Sequence, residues 1–186
     1  MKNTAIIFVF IGLIFIASII FGFIYLPKMA DANGIDNQNI MLGMPVDSTL
    51  MRYSKDGVIP FCINNSNGID IQVKEKAPIL APISGIITNV YSKTNRVVIQ
   101  PSSKVLVHIN SVTDMNYVVG DYVMKGDILG YAESENIHLI LENVKNKRYE
   151  CPFLYMDDDG KEMLSNGLKN STYSTENICD CSSINY

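Results

Sequence analysis

The segment at residues 118–132, VVGDYVMKGDILGYA, carries the most regular local pattern in the chain. Gly-Asp occurs in it twice, at 120–121 and 126–127, and Val123 and Ile128 flank the second pair. Because glycine adopts positive φ angles without steric cost, each Gly-Asp pair is typical of a tight turn between short strands. The segment therefore predicts short antiparallel strands.

The same organisation extends on both sides of this segment. Short runs rich in Ile and Val are interrupted by Gly, Pro, Asn or Ser at intervals of about ten residues, as in a sandwich or barrel. These runs are GIDIQV (68–73), GIITNVY (85–91), NRVVIQ (95–100), KVLVHIN (104–110) and IHLILENV (137–144). We therefore expect residues 57–156 to form an all-β domain, a compact antiparallel β-sheet or sandwich.

The N-terminal region predicts a membrane anchor. Residues 5–26 are 22 consecutive uncharged residues behind a short flank, 1–4, and a helix needs about 20 apolar residues to cross a bilayer. A cleaved signal peptide is the alternative, with a shorter apolar core of about 7–15 residues and the small residues Ala30 and Ala32 near a cleavage point. We expect a single-pass protein with a cytoplasmic N-terminus and an extracytoplasmic domain.

Two further segments differ from the β region in composition. Residues 27–56 contain Pro, Gly, Asn and Asp without a sustained period and are predicted to be a linker. Residues 157–186 are polar and acidic, which predicts a disordered tail. The DDDGKE stretch at its start lacks the ligand spacing of a calcium loop.

Charge argues against a nucleic-acid partner. Residues 1–156 hold 13 acidic and 13 basic residues, whereas residues 157–186 hold six acids and two lysines, which accounts for the whole net charge of −4. A neutral domain lacks the basic surface that attracts phosphates.

Cysteine usage points to disulfides. The four cysteines are Cys62, Cys151, Cys179 and Cys181, and none forms the CxxC spacing of a zinc site. In an exported domain they are expected to pair, and all three complete pairings remain open.

The ordered set of segments resembles a known family. APILAPISGIITNVY (77–91), NRVVIQ, VVGDYVMKGDILGYA, IHLILE and CPFLYM (151–156) follow one another as in the M23 (LytM/lysostaphin-type) peptidase domain, a resemblance that covers roughly residues 60–156. It implies a compact antiparallel β fold with a groove. Active members are zinc endopeptidases that cut peptide cross-links in bacterial cell walls, using three protein ligands and one open position on the metal.

The resemblance also assigns positions, and several depart from the family pattern. Asp70 matches the carboxylate ligand of zinc, but Ser66 stands at the first histidine ligand and Ile140 at the second. His138 and His108 match the two histidines that assist the zinc-bound water. We therefore expect a degenerate domain that holds no zinc and does not catalyse, because serine is a poor donor and isoleucine is none.

Three functions remain open on this basis. The first is a membrane-anchored binding or regulatory module for a cell-wall peptide or an envelope protein, with its groove lined by Ser66, Asp70, His108, His138, Ile140 and Glu142. The second is an active zinc enzyme with rearranged ligands, and the third is a purely structural envelope component. The histidines, Asp70 and Glu142 could equally be ordinary hydrogen-bonded residues at the surface of strands.

Overall fold

The computed structural model describes residues 40–55, 57–63, 66–169, 171 and 173–181, which belong to one compact unit, Asn39–Tyr186. The flank 1–4, the predicted membrane helix 5–26 and the first part of the predicted linker lie outside the described residues. Within the described ranges, no helix has the length and apolar character needed to span a bilayer.

The described residues form eleven strands and one α-helix. The strands are β1 (Val58–Ile59), β2 (Ile69–Gln72), β3 (Pro78–Leu80), β4 (Gly85–Tyr91), β5 (Arg96–Ser102), β6 (Val105–Asn110), β7 (Val112–Thr113), β8 (Tyr122–Val123), β9 (Ile128–Ala132), β10 (Asn136–Asn143) and β11 (Arg148–Glu150). The helix, α1, spans Asp158–Leu168.

The strands build two antiparallel sheets. The larger has the order β1-β2-β10-β6-β5-β4-β8, with β11 added to β10, and the smaller has the order β3-β9-β7. The Gly-Asp segment forms β8, β9 and the turns around them, and both Gly120 and Gly126 have positive φ angles of 98° and 93°. The expected antiparallel β fold is thus confirmed, although the helix means that the chain is not all-β.

Alternation along the central strands separates a buried face from a more open one. In β6 every second residue, Val105, Val107 and Ile109, is buried, and the residues between them are half-buried. Residues paired across neighbouring strands share a face. The inner face of the large sheet therefore supplies the core, and the outer face carries the polar side chains of β2, β6 and β10.

The end of the predicted linker is part of the domain. Leu42, Val46 and Met51 are all buried in the same hydrophobic core as the strands. The Leu42 amide donates to the Tyr155 carbonyl at 2.7 Å. The expectation of a linker reaching residue 56 is therefore wrong for residues 40–55, because three apolar side chains there outweigh the turn-rich composition around them.

The acidic tail is ordered over much of its length, contrary to the expectation of disorder. Asp157 caps α1, its Oδ1 accepting the Gly160 amide at 2.8 Å, and Asp158 and Asp159 occupy the first turn. Acidic residues there interact favourably with the positive end of the helix dipole. The helix buries Leu164 and Leu168. The DDDGKE stretch is thus the start of a helix.

Two disulfides join the tail to the β domain. Cys62 pairs with Cys181, and Cys151 pairs with Cys179, which selects one of the three pairings that the sequence left open. Ile178, just before the first tail cysteine, is buried, and its carbonyl accepts a hydrogen bond from the Phe61 amide at 3.1 Å. The loop before β2 is thereby attached to the C-terminal segment.

Candidate functional site

The outer face of three neighbouring strands brings most of the predicted site residues together. His138 of β10 pairs in register with Asp70 of β2 on one side and with Asn110 of β6 on the other. One step further along, Ile140 pairs with His108. We call the outer-face residues Asp70, Asn110, His108, His138, Ile140 and Glu142 the site face.

An aspartate, a histidine and an asparagine form a hydrogen-bonded chain at one end of the site face. His138 Nδ1 lies 2.6 Å from Asp70 Oδ1, and its Nε2 lies 3.1 Å from Asn67 Oδ1. A carboxylate oxygen only accepts hydrogen bonds, so the N–H at Nδ1 donates to Asp70. The Asp70 carboxylate is therefore engaged by His138, with the side chains 31% and 18% exposed, respectively.

Ile140 lies beside the hydrogen bonds of Asp70, His138 and Asn67. Its side chain is only 4% exposed. A Cβ atom added to Gly68 would lie 2.9 Å from Ile140 Cγ1, 2.9 Å from His138 Nε2 and 2.3 Å from the Leu139 carbonyl oxygen. Only glycine fits at position 68, and the isoleucine is packed against that bare main chain.

A second carboxylate–imidazole pair lies on the far side of Ile140. His108 Nε2 is 2.9 Å from Glu142 Oε2, and the His108 side chain is only 12% exposed. Burial lowers the pKa of His108, and the Arg96 charge lowers it further, although the hydrogen bond and charge of Glu142 act in the opposite direction. His108 Nδ1 and Asn110 Oδ1 are buried with no hydrogen-bond partner among the described residues.

The residues present do not fit the zinc site of the family. Ile140 has no donor atom, and the Asp70 oxygen nearest the ring is hydrogen-bonded to His138. Ser66 Oγ donates to the Gly68 carbonyl at 3.1 Å and receives the Gly68 amide at 3.3 Å. Within the part of the chain that the structure describes, no three His, Cys, Asp or Glu side chains are grouped to hold a metal ion.

Some contacts on and near the site face were not anticipated. Asn67 and Asn110 both flank His138, and neither was singled out in the sequence, where an asparagine before a glycine indicates only a turn. Pairing of IHLILENV with KVLVHIN would have placed Asn110 opposite His138. Lys125, within the Gly-Asp segment, forms an ion pair with Asp157, its Nζ lying 2.8 Å from Oδ2.

Comparisons with known proteins give the same fold. Residues 64–151 match the model of peptidase family M23. The structure of Csd3 from Helicobacter pylori is similar with a TM-score of 0.51 and 19% identity, covering 64% of this chain and 34% of that one. The M23 metalloprotease pseudoalterin, from the deep sea, has a TM-score of 0.50 and 14% identity, covering 66% of this chain and 80% of its own.

A third structure, of the SpoIIQ–SpoIIIAH pore-forming complex, has a TM-score of 0.49 and 15% identity over 68% of this chain and 97% of that one. No curated protein matches the sequence. At these identities the likeness to Csd3 and pseudoalterin shows a shared fold alone, and the chain spans about a third of Csd3, 34% of its length. Residues 64–151, somewhat less than half of the chain, are therefore similar to the peptidase family M23 domain in sequence and in fold.

Proposed function

We propose that this chain is a non-catalytic M23 module that binds an extended cell-wall peptide, or a protein partner, in the bacterial envelope. The observation that carries the proposal is Ile140, a buried apolar side chain at the position where the family pattern has a metal ligand. The strands around Ile140 keep the order of the family's fold, while the metal-donor atoms that the family has on this face are replaced by apolar or hydroxyl groups.

The chemistry of the site face supports binding. Asp70 and Glu142 offer carboxylate oxygens, 31% and 28% exposed as side chains, on either side of the apolar Ile140. An extended peptide has alternating N–H donors, carbonyl acceptors and side chains, and is bound through main-chain hydrogen bonds combined with small pockets. Polar groups flanking an apolar surface suit such a ligand.

The disulfides support an extracytoplasmic location. Two disulfides, Cys62–Cys181 and Cys151–Cys179, persist in oxidising compartments and are rare in the cytosol. The apolar segment 5–26 fits a membrane anchor that would hold the domain outside the cytoplasmic membrane. We propose this topology on those two features.

Calorimetry with linear and cross-linked cell-wall peptides tests the binding function. The wild-type protein is expected to bind, and Asp70→Asn combined with His138→Gln is expected to weaken binding by roughly ten- to a hundredfold, since losing one hydrogen bond to a charged group costs roughly 1.5–3 kcal/mol. Glu75→Gln is the matched control, because it removes a carboxylate from an exposed turn that is not part of the site face. No binding by the wild type would contradict the peptide-binding proposal.

Elemental analysis distinguishes the remaining functions. A binding module purifies without stoichiometric zinc, and Ser66→His with Ile140→His is expected to create zinc affinity by restoring two nitrogen ligands beside Asp70. Stoichiometric zinc in the wild type, with chelator-sensitive cleavage of cross-linked peptides, would instead establish an active enzyme. A structural component would bind no peptide and tolerate the site-face substitutions in cells.

A further inference from the structure

Five large apolar side chains are exposed together at one edge of the large sheet. Each is between 43% and 67% exposed, and we call them the apolar edge: Ile86, Val118, Val119, Tyr122 and Met124. We propose that the apolar edge inserts into the interface of a lipid membrane. This inference rests on the proposed membrane anchor at residues 5–26 and uses none of the site-face residues.

Strand pairing makes these side chains neighbours. Tyr122 of β8 pairs in register with Ile86 of β4, and side chains paired across strands share a face. Met124 lies two residues beyond Tyr122 and on the same side of the chain, since the residue between them is buried. The two valines lie in the turn that leads into β8, where the Asp121 amide donates to the Val118 carbonyl at 3.2 Å. Because β8 ends the large sheet, these residues form one continuous outer edge.

The carboxylates beside the apolar edge are bound to main-chain amides. Asp121 Oδ2 accepts the Val118 amide at 2.8 Å, and Asp127 Oδ2 accepts the Met124 amide at 2.8 Å. Single exposed apolar residues are ordinary on a protein surface, but a contiguous group of them marks an interaction site. Aliphatic side chains combined with a tyrosine suit the boundary between lipid chains and water, because the ring is apolar and its hydroxyl stays hydrated.

The described chain begins beside the apolar edge. A Cβ atom added to Gly43, three residues after the first described residue, would lie 2.6 Å from Lys125 Cε. Lys125 directly follows Met124, and its amide donates to Ser84 Oγ at 2.8 Å, two residues before Ile86. The point at which the chain enters the domain and the apolar edge therefore share one corner of the molecule.

The connection to the proposed anchor is short. Thirteen residues, 27–39, separate the apolar segment 5–26 from the described domain, and a chain of that length reaches at most about 45 Å when fully extended. Tethering makes a second contact intramolecular, with an effective concentration in the millimolar range for a short connection. Lipid is therefore the favoured occupant of the apolar edge, because an anchored chain always has it within reach, whereas a second copy must arrive by diffusion.

Docking through this edge would orient the domain. In the large sheet, β4 and β5 lie between β8 and the site-face strands β6, β10 and β2. Neighbouring strands are about 4.8 Å apart, so β6 and β10 lie roughly 14–19 Å from β8. With the apolar edge in the lipid interface, the site face would stand clear of the membrane at a fixed height, accessible to a ligand in the surrounding water.

The test uses the absence of tryptophan from the sequence, so that one introduced tryptophan reports on one position. Full-length Tyr122→Trp and Tyr149→Trp proteins are each reconstituted into phosphatidylcholine vesicles, with or without bromine on the lipid chains. Tyr149 is the matched reporter, because it is also exposed and lies on β11, on the opposite side of β10 from β6 and β8. Both leaflets carry the bromine, so the orientation of the protein in the vesicle does not affect the result.

Bromine quenches tryptophan emission only at close range, so quenching requires that the side chain enter the lipid. The reporter at position 122 is expected to emit several-fold less in brominated than in plain vesicles, and the reporter at position 149 should emit equally in both. Equal quenching at the two positions, or none at either, would overturn the docking. A blue shift at position 122 without bromine quenching would assign the apolar edge to a protein contact and would also overturn it.

Flotation of the same vesicles on a density gradient separates this inference from the proposed anchor. Protein that floats without selective quenching at position 122 would contradict the docking and leave the anchor in place. Protein that does not float with the vesicles would contradict both.

Two further substitutions in the Tyr122→Trp protein assign the effect to the apolar edge. Met124→Asp should abolish the quenching, because a carboxylate is costly to move into lipid. Val144→Asp, which changes an exposed apolar side chain just after β10, should leave it unchanged. Both side chains are exposed, so both variants are expected to fold, and both should float, because the segment 5–26 is intact. Quenching that persists in Met124→Asp would refute the insertion of this edge.

Discussion

The site face and the C-terminal tail are held in place by different kinds of interaction. On the site face, two carboxylate–imidazole pairs lie on a sheet whose shape is set by the core beneath it. The tail, residues 157–181, is fixed by two disulfides, a capped helix and the buried side chains Leu164, Leu168 and Ile178. The polar pairs of the site face lie on a sheet that the core already stabilises, whereas the contacts of the tail contribute to the stability of the fold.

We therefore expect substitutions on the site face to change binding, and substitutions in the tail to change the free energy of unfolding. Removal of a half-exposed polar pair should alter what the site face binds while the fold persists, because partly exposed ion pairs contribute little to stability. Removal of a tail contact exposes core residues. Predictions about the two regions should therefore diverge in size, with the tail dominating the free energy of unfolding.

The largest expected effect is loss of the Cys62–Cys181 disulfide. This bond joins residues 119 apart in sequence, against 28 for Cys151–Cys179. In the chain-entropy account, the longer loop contributes roughly 5 kcal/mol and the shorter roughly 3.5 kcal/mol. Urea unfolding of Cys62→Ser with Cys181→Ser should therefore show the greater loss, and Cys151→Ser with Cys179→Ser the smaller.

The same pair of variants tests whether the two regions are connected. The Cys62 amide donates to the Ser66 carbonyl at 3.1 Å, so the first disulfide is bonded directly to the loop that carries Asn67, whereas the second is linked to it more remotely, through the hydrogen bond from the Phe61 amide to the Ile178 carbonyl. NMR signals of the His138 ring should move in the first double variant and stay in place in the second. Equal stability losses, or ring signals that move equally in both, would contradict the comparison.

A smaller effect is expected at the cap of α1. Asp157→Ala removes the acceptor for the Gly160 amide, and loss of an N-cap costs about 0.5–2 kcal/mol. Its pair with Lys125 adds little, because both side chains are partly exposed. Asp159→Ala removes the same charge from the first turn without removing the cap and should cost only about 0.3–1 kcal/mol.

Urea unfolding of the two aspartate variants provides the measurement. Equal losses would show that the helix dipole, and not the cap hydrogen bond, accounts for the effect. The signals of His138 should not change in either variant, since the main contacts of α1 are with β1 and with Pro152–Tyr155.

The sequence predicts those elements that have a regular alternation of apolar and polar residues. The strands were predictable because apolar residues alternate along them, and the register then placed Asp70, His138 and Ile140 on one surface. The tail helix was missed because its composition is polar, although an aspartate cap with Leu164 and Leu168 four residues apart indicates a helix. The contact of Asn67 with His138 depends on a loop conformation that glycine packing sets, and no periodicity encodes it.

The smallest expected effect concerns pH and the second pair of the site face. Burial lowers the pKa of His108 below its ordinary 6.5, Arg96 acts in the same direction, and Glu142 opposes both. Between the unfolded and folded pKa values the unfolded chain binds more protons, so this group makes stability rise with pH there. Its contribution is complete above 6.5 and is lost as the pH falls below that value.

His108→Gln removes this titration while keeping a polar side chain of similar reach. The wild type should therefore be favoured over the variant most strongly at neutral pH, and the difference in unfolding free energy should shrink as the pH falls below 6.5. Urea unfolding at several pH values measures it. A difference that grows on acidification would mean that Glu142 outweighs burial and that the His108–Glu142 pair is a charged contact.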